Sequence, residues 1–157
     1  MRSSTDLHDD LTARGVAHEI VHLPSSSRTA QLAAEALGVP VAEVVKSLLF
    51  MLDDARPVLA LVSGDATVDA DALAREEGAL QIRLARSREV KELTGYRPGA
   101  VPPCALATEV AVVADPGVFG PAVVYCGGGT TTTMLQIRSA DLEALLEPRR
   151  LPIAARR

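Results

Sequence analysis

Aromatic side chains are scarce in this chain: two Phe, two Tyr and no Trp, 3% of 157 residues. That argues against an exposed stacking platform for single-stranded nucleic acid, which needs aromatic faces. Cysteine is nearly absent, and Cys104 with Cys126 gives neither a disulfide framework nor metal-ligand spacing. The three histidines, His8, His18 and His22, all fall in the first 22 residues, beside no plausible nucleophile. No Gly-x-Ser-x-Gly elbow is present, so a nucleophilic triad is not expected. No apolar run reaches the ~18–20 residues of a membrane span; the longest, at 44–52 and 58–62, are strand-sized. Residues 1–10 are polar and acidic, without the apolar stretch of a secretory signal, so cytoplasm is the expectation and no membrane partner. An excess of positive charge is missing too: the formal net charge is −4, so any contact with phosphate must be local. Lysine is the last scarcity. Of 16 basic residues only Lys46 and Lys91 are lysines.

What is present is ordinary for one globular domain, 1–157, with 48% hydrophobic and 23% charged residues. A helix is predicted over 5–15 and a strand over 17–23 that Pro24 ends, followed by a polar loop at 25–28. Thr29 and Gly38 read as the two caps of a helix through Leu37, and Pro40 permits a short helical turn. Residues 44–52 and 58–63, joined by 53–57, form the strongest hairpin signal. Helices are expected at 69–77 and 87–94, each closed by a glycine. Strands are expected at 109–114, 122–126 and 134–138, then a helix that Ser139 opens, running through Leu146. The tail from Pro148 reads as frayed. Strands and helices alternate without a βαβ rhythm, which indicates an α+β fold with a mixed sheet flanked by helices.

Three elements could carry chemistry. Lys46 sits inside the apolar run Val44-Val45-Lys46-Ser47-Leu48-Leu49-Phe50. It either guards a strand edge or points into a pocket, where its ammonium could hold phosphate or ribose or offset charge on an attacked carbonyl. The segment Gly95-Tyr96-Arg97-Pro98-Gly99-Ala100-Val101-Pro102-Pro103 is stiffened by prolines and reads as a rigid connector or a loop presenting backbone N–H groups to a ligand. Finally, Cys126-Gly127-Gly128-Gly129-Thr130-Thr131-Thr132-Thr133 lacks a Gly-Lys-Ser/Thr ending and leads into a strand, so it is not a P-loop. It is a hydroxyl-rich pocket turn or a plain hairpin loop. Cys126 or Cys104 as a thiol nucleophile is a further alternative, as is Cys126 as a small buried hydrophobe. Arg83, Arg86, Arg88, Lys91 and Arg97 form a basic stretch leading to the proline loop, partly offset by Glu89 and Glu92.

In this order the three elements resemble the YbaK/EbsC superfamily, which includes the editing domain inserted in many bacterial prolyl-tRNA synthetases. The likeness runs from about residue 17 to 146. It implies a barrel-like mixed sheet and an aminoacyl-tRNA deacylase that hydrolyses the ester of a mischarged tRNA carrying a small amino acid. Within that resemblance Lys46 matches the functional lysine, and Gly99, Ala100, Val101, Pro102 and Pro103 match a Gly-x-x-x-Pro loop that positions the aminoacyl group. The resemblance also implies that Gly128, Gly129 and Thr130 bind substrate. Water attacks with help from a substrate ribose hydroxyl, so neither metal nor cofactor is expected. The implied partners are the acceptor end of a mischarged tRNA and an aminoacyl-tRNA synthetase. The alternative is a catalytically inactive binding or regulatory module of the same fold.

Overall fold

The computed structural model describes residues 1–27 and 29–156; Arg28, the end of the expected polar loop, and Arg157 lie outside the described residues. The chain opens with α1, Ser4–Ala13, whose Ser3 and Asp6 cap its first turn reciprocally. Next come β1, Glu19–His22, and α2, Ala30–Leu37, with Thr29 Oγ1 accepting from Leu32 N–H at 3.1 Å and Gly38 left-handed at its end. A 3-10 turn, Val41–Glu43, leads into the hairpin β2, Val45–Leu52, and β3, Arg56–Ser63. Its turn holds Asp53 and Asp54 at φ of 54° and 53°, a region Asp tolerates better than most residues. Then follow β4 (Ala66–Val68), α3 (Ala70–Glu77), β5 (Ile82–Leu84), α4 (Ser87–Thr94) and β6 (Ala111–Ala114). Beyond a 3-10 turn at Pro116–Phe119, the chain ends with β7 (Val123–Gly127), β8 (Thr133–Arg138), α5 (Ser139–Leu146), β9 (Arg149–Arg150) and β10 (Ala154–Arg156).

The mixed α+β architecture is as expected, and its strands form three sheets not closed into one barrel. Five strands lie in the order β5-β2-β3-β6-β9, three in the order β1-β8-β7, and β10 pairs with β4. In the large sheet β2 is antiparallel to both neighbours, whereas β3, β6 and β9 run parallel. An isolated bridge between Val44 and Tyr125 joins it to the three-stranded sheet.

Both faces of the large sheet are apolar, which explains why 44–52 and 58–63 read as unbroken hydrophobic runs. Side chains alternate along a strand. Leu49, Leu59 and Leu61 therefore enter the main core, with Leu7 and Leu11 of α1, Tyr96, Ile137 and Leu142. Phe50, Leu52, Val58, Ala60 and Val62 enter a second core with Leu73 and Ile153.

One expectation needs correction. The tail is not frayed: Ile153 is fully buried, its N–H and that of Ala154 donate to Asp115 Oδ1, and its carbonyl accepts from Asp69 N–H at 2.7 Å. Packing thus extends past residues 17–146 at both ends. Ser139 opens α5 as expected, and its hydroxyl donates to the Pro121 carbonyl.

Candidate active site

The opening of β2 forms one wall of a cavity of about 710 Å³, within the usual ~300–1,000 Å³ range of small-molecule sites. In an antiparallel pair alternate residues bond a given neighbour. Gly64 N–H donates to Val44 O at 2.7 Å, so the even positions of β2 face β3. Odd positions turn their peptide groups the other way, and Leu49 O accepts there from Ala85 N–H at 2.9 Å. Strand β5 pairs only with Phe50, Met51 and Leu52. The peptide groups of Val45 and Ser47 therefore turn to an edge that β5 does not cover; both residues line the cavity, with half-buried Lys46. Lys46 stands opposite Val62 of β3, in the part of β2 that β5 does not reach.

The opposite wall is the proline loop and the glycine turn, held together by main-chain contacts. Tyr96 is fully buried, and its hydroxyl donates to Ala105 O at 2.9 Å, tying the loop's two ends. Burial pushes that phenol up to about 12. Gly129 N–H donates to Ala100 O at 2.9 Å. A Cβ on Gly127 would stand 2.2 Å from Val101 O, and one on Gly129, at φ +94°, would stand 2.7 Å from Ser4 N. The glycines thus let three backbone segments close on one another. The threonines that follow are largely self-satisfied. Thr133 Oγ1 lies 2.7 Å from Thr130 Oγ1, accepts from Thr130 N–H and donates to Gly128 O at 3.0 Å.

Of the residues expected at a site, Lys46, Gly99, Val101 and Thr130 share this cavity. Ala100, Pro102, Pro103, Gly128 and Gly129 do not line it; they are buried behind its wall, where their backbones hold the loop and turn in shape. Ser27, Thr29, Ser47, Asp65 and Thr67 line it without having been singled out. Ser47 had a visible signal, a polar residue beside Lys46 in an apolar run. Asp65 and Thr67 come from a turn between strands, where only the folded chain shows which way they face.

The basic stretch lies elsewhere, since none of its five members lines the cavity. Arg83 is held by Asp54 at 2.6 Å and by both Glu89 oxygens at 2.8 and 3.0 Å. These hydrogen bonds, with that from Arg86 N–H, hold the Glu89 carboxyl down at about 2. Arg88 meets Glu92 at 3.9 Å. The offsetting acids therefore compensate much of this charge.

A thiol nucleophile does not fit. Neither cysteine lines the cavity. Burial pushes the Cys104 thiol up to about 12 and the fully buried Cys126 thiol higher still, so the reactive thiolate is suppressed. His8 Nδ1 and His18 Nε2 lie 2.8 Å from each other, and none of the three histidines reaches the cavity wall. What remains there is a lysine, the Asp65 carboxylate, the Gln31 amide and several hydroxyls, a set suited to binding and polarising an ester that water attacks.

A family model for the aminoacyl-tRNA editing domain matches residues 25–145. The proline–tRNA ligase of Lactobacillus acidophilus is 34% identical over 110 residues, 70% of this chain but 19% of the ligase. The chain thus spans about a fifth of the length of that relative. The uncharacterized protein YwhH of Bacillus subtilis is 27% identical over 125 residues, 80% of this chain and 79% of that protein. Among solved structures, one described as a candidate trans-editing enzyme for prolyl tRNA synthetase superposes with a TM-score of 0.89. It is 33% identical and covers 97% of this chain and 96% of its own.

Proposed function

The chain belongs to the aminoacyl-tRNA editing domain family, and on that premise we propose that it is a trans-editing deacylase hydrolysing the ester of tRNA mischarged with a small amino acid. The observation that carries this reading is the convergence of Lys46, the loop at Gly99 and Val101, and the turn at Thr130 on one cavity of about 710 Å³. Such a volume suits an aminoacyl group with the terminal nucleoside that bears it.

In this reading the Lys46 ammonium holds ribose or phosphate oxygen and favours the negative charge that develops on the attacked carbonyl. Backbone groups of the proline loop orient the aminoacyl moiety. Water, assisted by a ribose hydroxyl of the substrate, adds to the ester carbonyl. The acyl C–O bond to ribose then breaks, the ribose oxygen takes a proton, and free amino acid and tRNA leave. No protein nucleophile is required, which accords with the burial of both thiols.

The close-set loop and turn favour alanyl, seryl, threonyl and cysteinyl esters and reject bulk sterically. The substrate contacts are confined to the acceptor end, because the acidic chain and its compensated arginines offer no extended phosphate track. A prolyl-tRNA synthetase is the natural partner to supply mischarged tRNA. The test is a deacylation panel in which purified protein meets tRNAs charged with Ala, Ser, Thr, Cys and Pro. Hydrolysis of small non-prolyl species with Pro-tRNA spared is expected. Absence of hydrolysis across the panel would overturn the reading.

A further inference from the structure

Among the described residues, two buried side-chain oxygens have no hydrogen-bond partner, Asp10 Oδ2 and Ser47 Oγ. Asp10 Oδ2 has an ion pair with Arg14 Nε at 3.1 Å. Ser47 has nothing comparable. A buried hydroxyl without a partner is destabilising, so one that persists on a cavity wall calls for a role.

Most other hydroxyls on that wall are engaged with protein. Thr29 caps α2, Thr67 Oγ1 donates to Ala155 O at 3.4 Å, and Thr131 Oγ1 accepts from Ser26 at 3.2 Å. Thr130 and Thr133 bond each other; Ser27 and Ser47, both at half-buried positions, lack such a bond, and of the two only the Ser47 hydroxyl oxygen is itself buried. Side-chain alternation directs Ser47 to the same face of β2 as Val45 and Leu49, and away from the face of Lys46 and Leu48. Val45, Val101 and Gly127 share the cavity wall with it, and both valines belong to the main apolar core. Ser47 Oγ is thus a buried hydrogen-bonding group in an otherwise apolar corner. A corner of this kind suits a small side chain with a hydroxyl at its end, while Lys46 serves the charged and ribose portions from the other face.

We infer that Ser47 is a specificity-determining residue whose hydroxyl hydrogen-bonds the side-chain hydroxyl of a seryl or threonyl ester, so that the enzyme selects these over alanyl ester. This rests on the deacylase reading above. A site built to hydrogen-bond a substrate hydroxyl rejects the analogue that lacks one, because its own polar group is then left unpaired. Alanine would cover Ser47 without a partner. Cysteine, with a weak S–H donor and acceptor, should fall between.

The experiment compares wild type and Ser47→Ala on Ser-, Thr- and Ala-tRNA, with thermal melts of both proteins. Wild type should clear Ser- and Thr-tRNA faster than Ala-tRNA, and Ser47→Ala should lower the Ser-to-Ala rate ratio by about 10- to 100-fold. Its Tm should be no lower than wild type, since a hydroxyl without a partner is removed. Equal loss on all three substrates, or an unchanged ratio, would overturn the inference while leaving the deacylase reading intact. A wild type inert on all three and on the wider panel would overturn both. A second measurement avoids the variant altogether: calorimetric binding of wild type to non-hydrolysable seryl and alanyl amides of 3′-amino-3′-deoxyadenosine. Tighter binding of the seryl amide supports the role of Ser47, and equal affinity contradicts it.

Discussion

The two walls of the cavity are built on opposite plans. The β2 wall presents side chains, Lys46 and Ser47, from a strand whose backbone is fixed by β3 and whose odd edge β5 leaves uncovered. The wall of loop and turn directs its polar groups mainly inward: Tyr96 to Ala105, Gly129 to Ala100, and Thr133 to Gly128 and Thr130. In the proposed function one wall supplies chemistry and the other supplies shape. Similar residue types thus differ in their bonding: the turn threonines are hydrogen-bonded to protein, whereas the strand serine has no partner for its hydroxyl.

The sharpest break in this comparison is Lys46→Ala. If its ammonium stabilises the charged transition state, removing it costs ~2.7–4 kcal/mol, roughly a hundred- to thousand-fold in rate. Single-turnover deacylation should show that loss, and thermal melting should show a folded protein. Gly127→Ala attacks the other wall. Its Cβ would meet the Val101 carbonyl at 2.2 Å, a backbone atom that cannot step aside cheaply. Destabilisation of roughly 1–3 kcal/mol or more is expected from forced repacking, read as a lower denaturant midpoint together with lost activity.

Thr133→Val tests whether the turn's hydroxyl is structural. It should cost ~1–3 kcal/mol of stability, because Gly128 O and Thr130 lose their buried partner. The Ser-to-Ala rate ratio should stay near wild type; a collapse of that ratio would assign Thr133 to substrate. The smallest effect belongs to Glu89→Gln, away from both walls. The folded Glu89 carboxyl is held at about 2, below its ordinary 4.5, by hydrogen bonds from Arg83 and Arg86. Its stabilising contribution is therefore present above about pH 4.5 and is lost as pH falls toward 2. Glu89→Gln should flatten the decline of Tm across that window and leave neutral-pH deacylation alone. A full acid-side decline in the variant would show that the Arg83 cluster is not its source.

Much of this molecule was legible before folding because the signals are local. Thr29 and Gly38 cap α2, Gly78 closes α3, and the span of α4 is Ser87–Thr94 as read. Strands β2 and β3 announced themselves by unbroken apolar runs. The strands that escaped notice, β4, β5, β9 and β10, have two or three residues each and exist only through distant partners. Arg149 and Arg150 looked like a solvated, frayed end. In the structure Arg149 meets Glu77 at 2.7 Å and Arg150 meets Glu143 at 2.6 Å, while Ile153 fills the second core.

The same division holds for the site. Residue order alone marked Lys46, the proline loop and the glycine turn, because a charge in an apolar strand, a run of prolines and a run of glycines are each anomalies of composition at one place. Which of those residues reach the cavity was decided by tertiary packing. Gly99, Val101 and Thr130 line it, whereas Ala100, Pro102, Pro103, Gly128 and Gly129 are covered by the backbones they support. Ser47 and Asp65 joined the wall only when the chain folded. The gap beside Ser47 depends on where β5 stops pairing, 37 residues further along the chain at Leu84, opposite Phe50. A hydroxyl's environment is the sum of its neighbours in space, and sequence fixes those neighbours only through the completed fold.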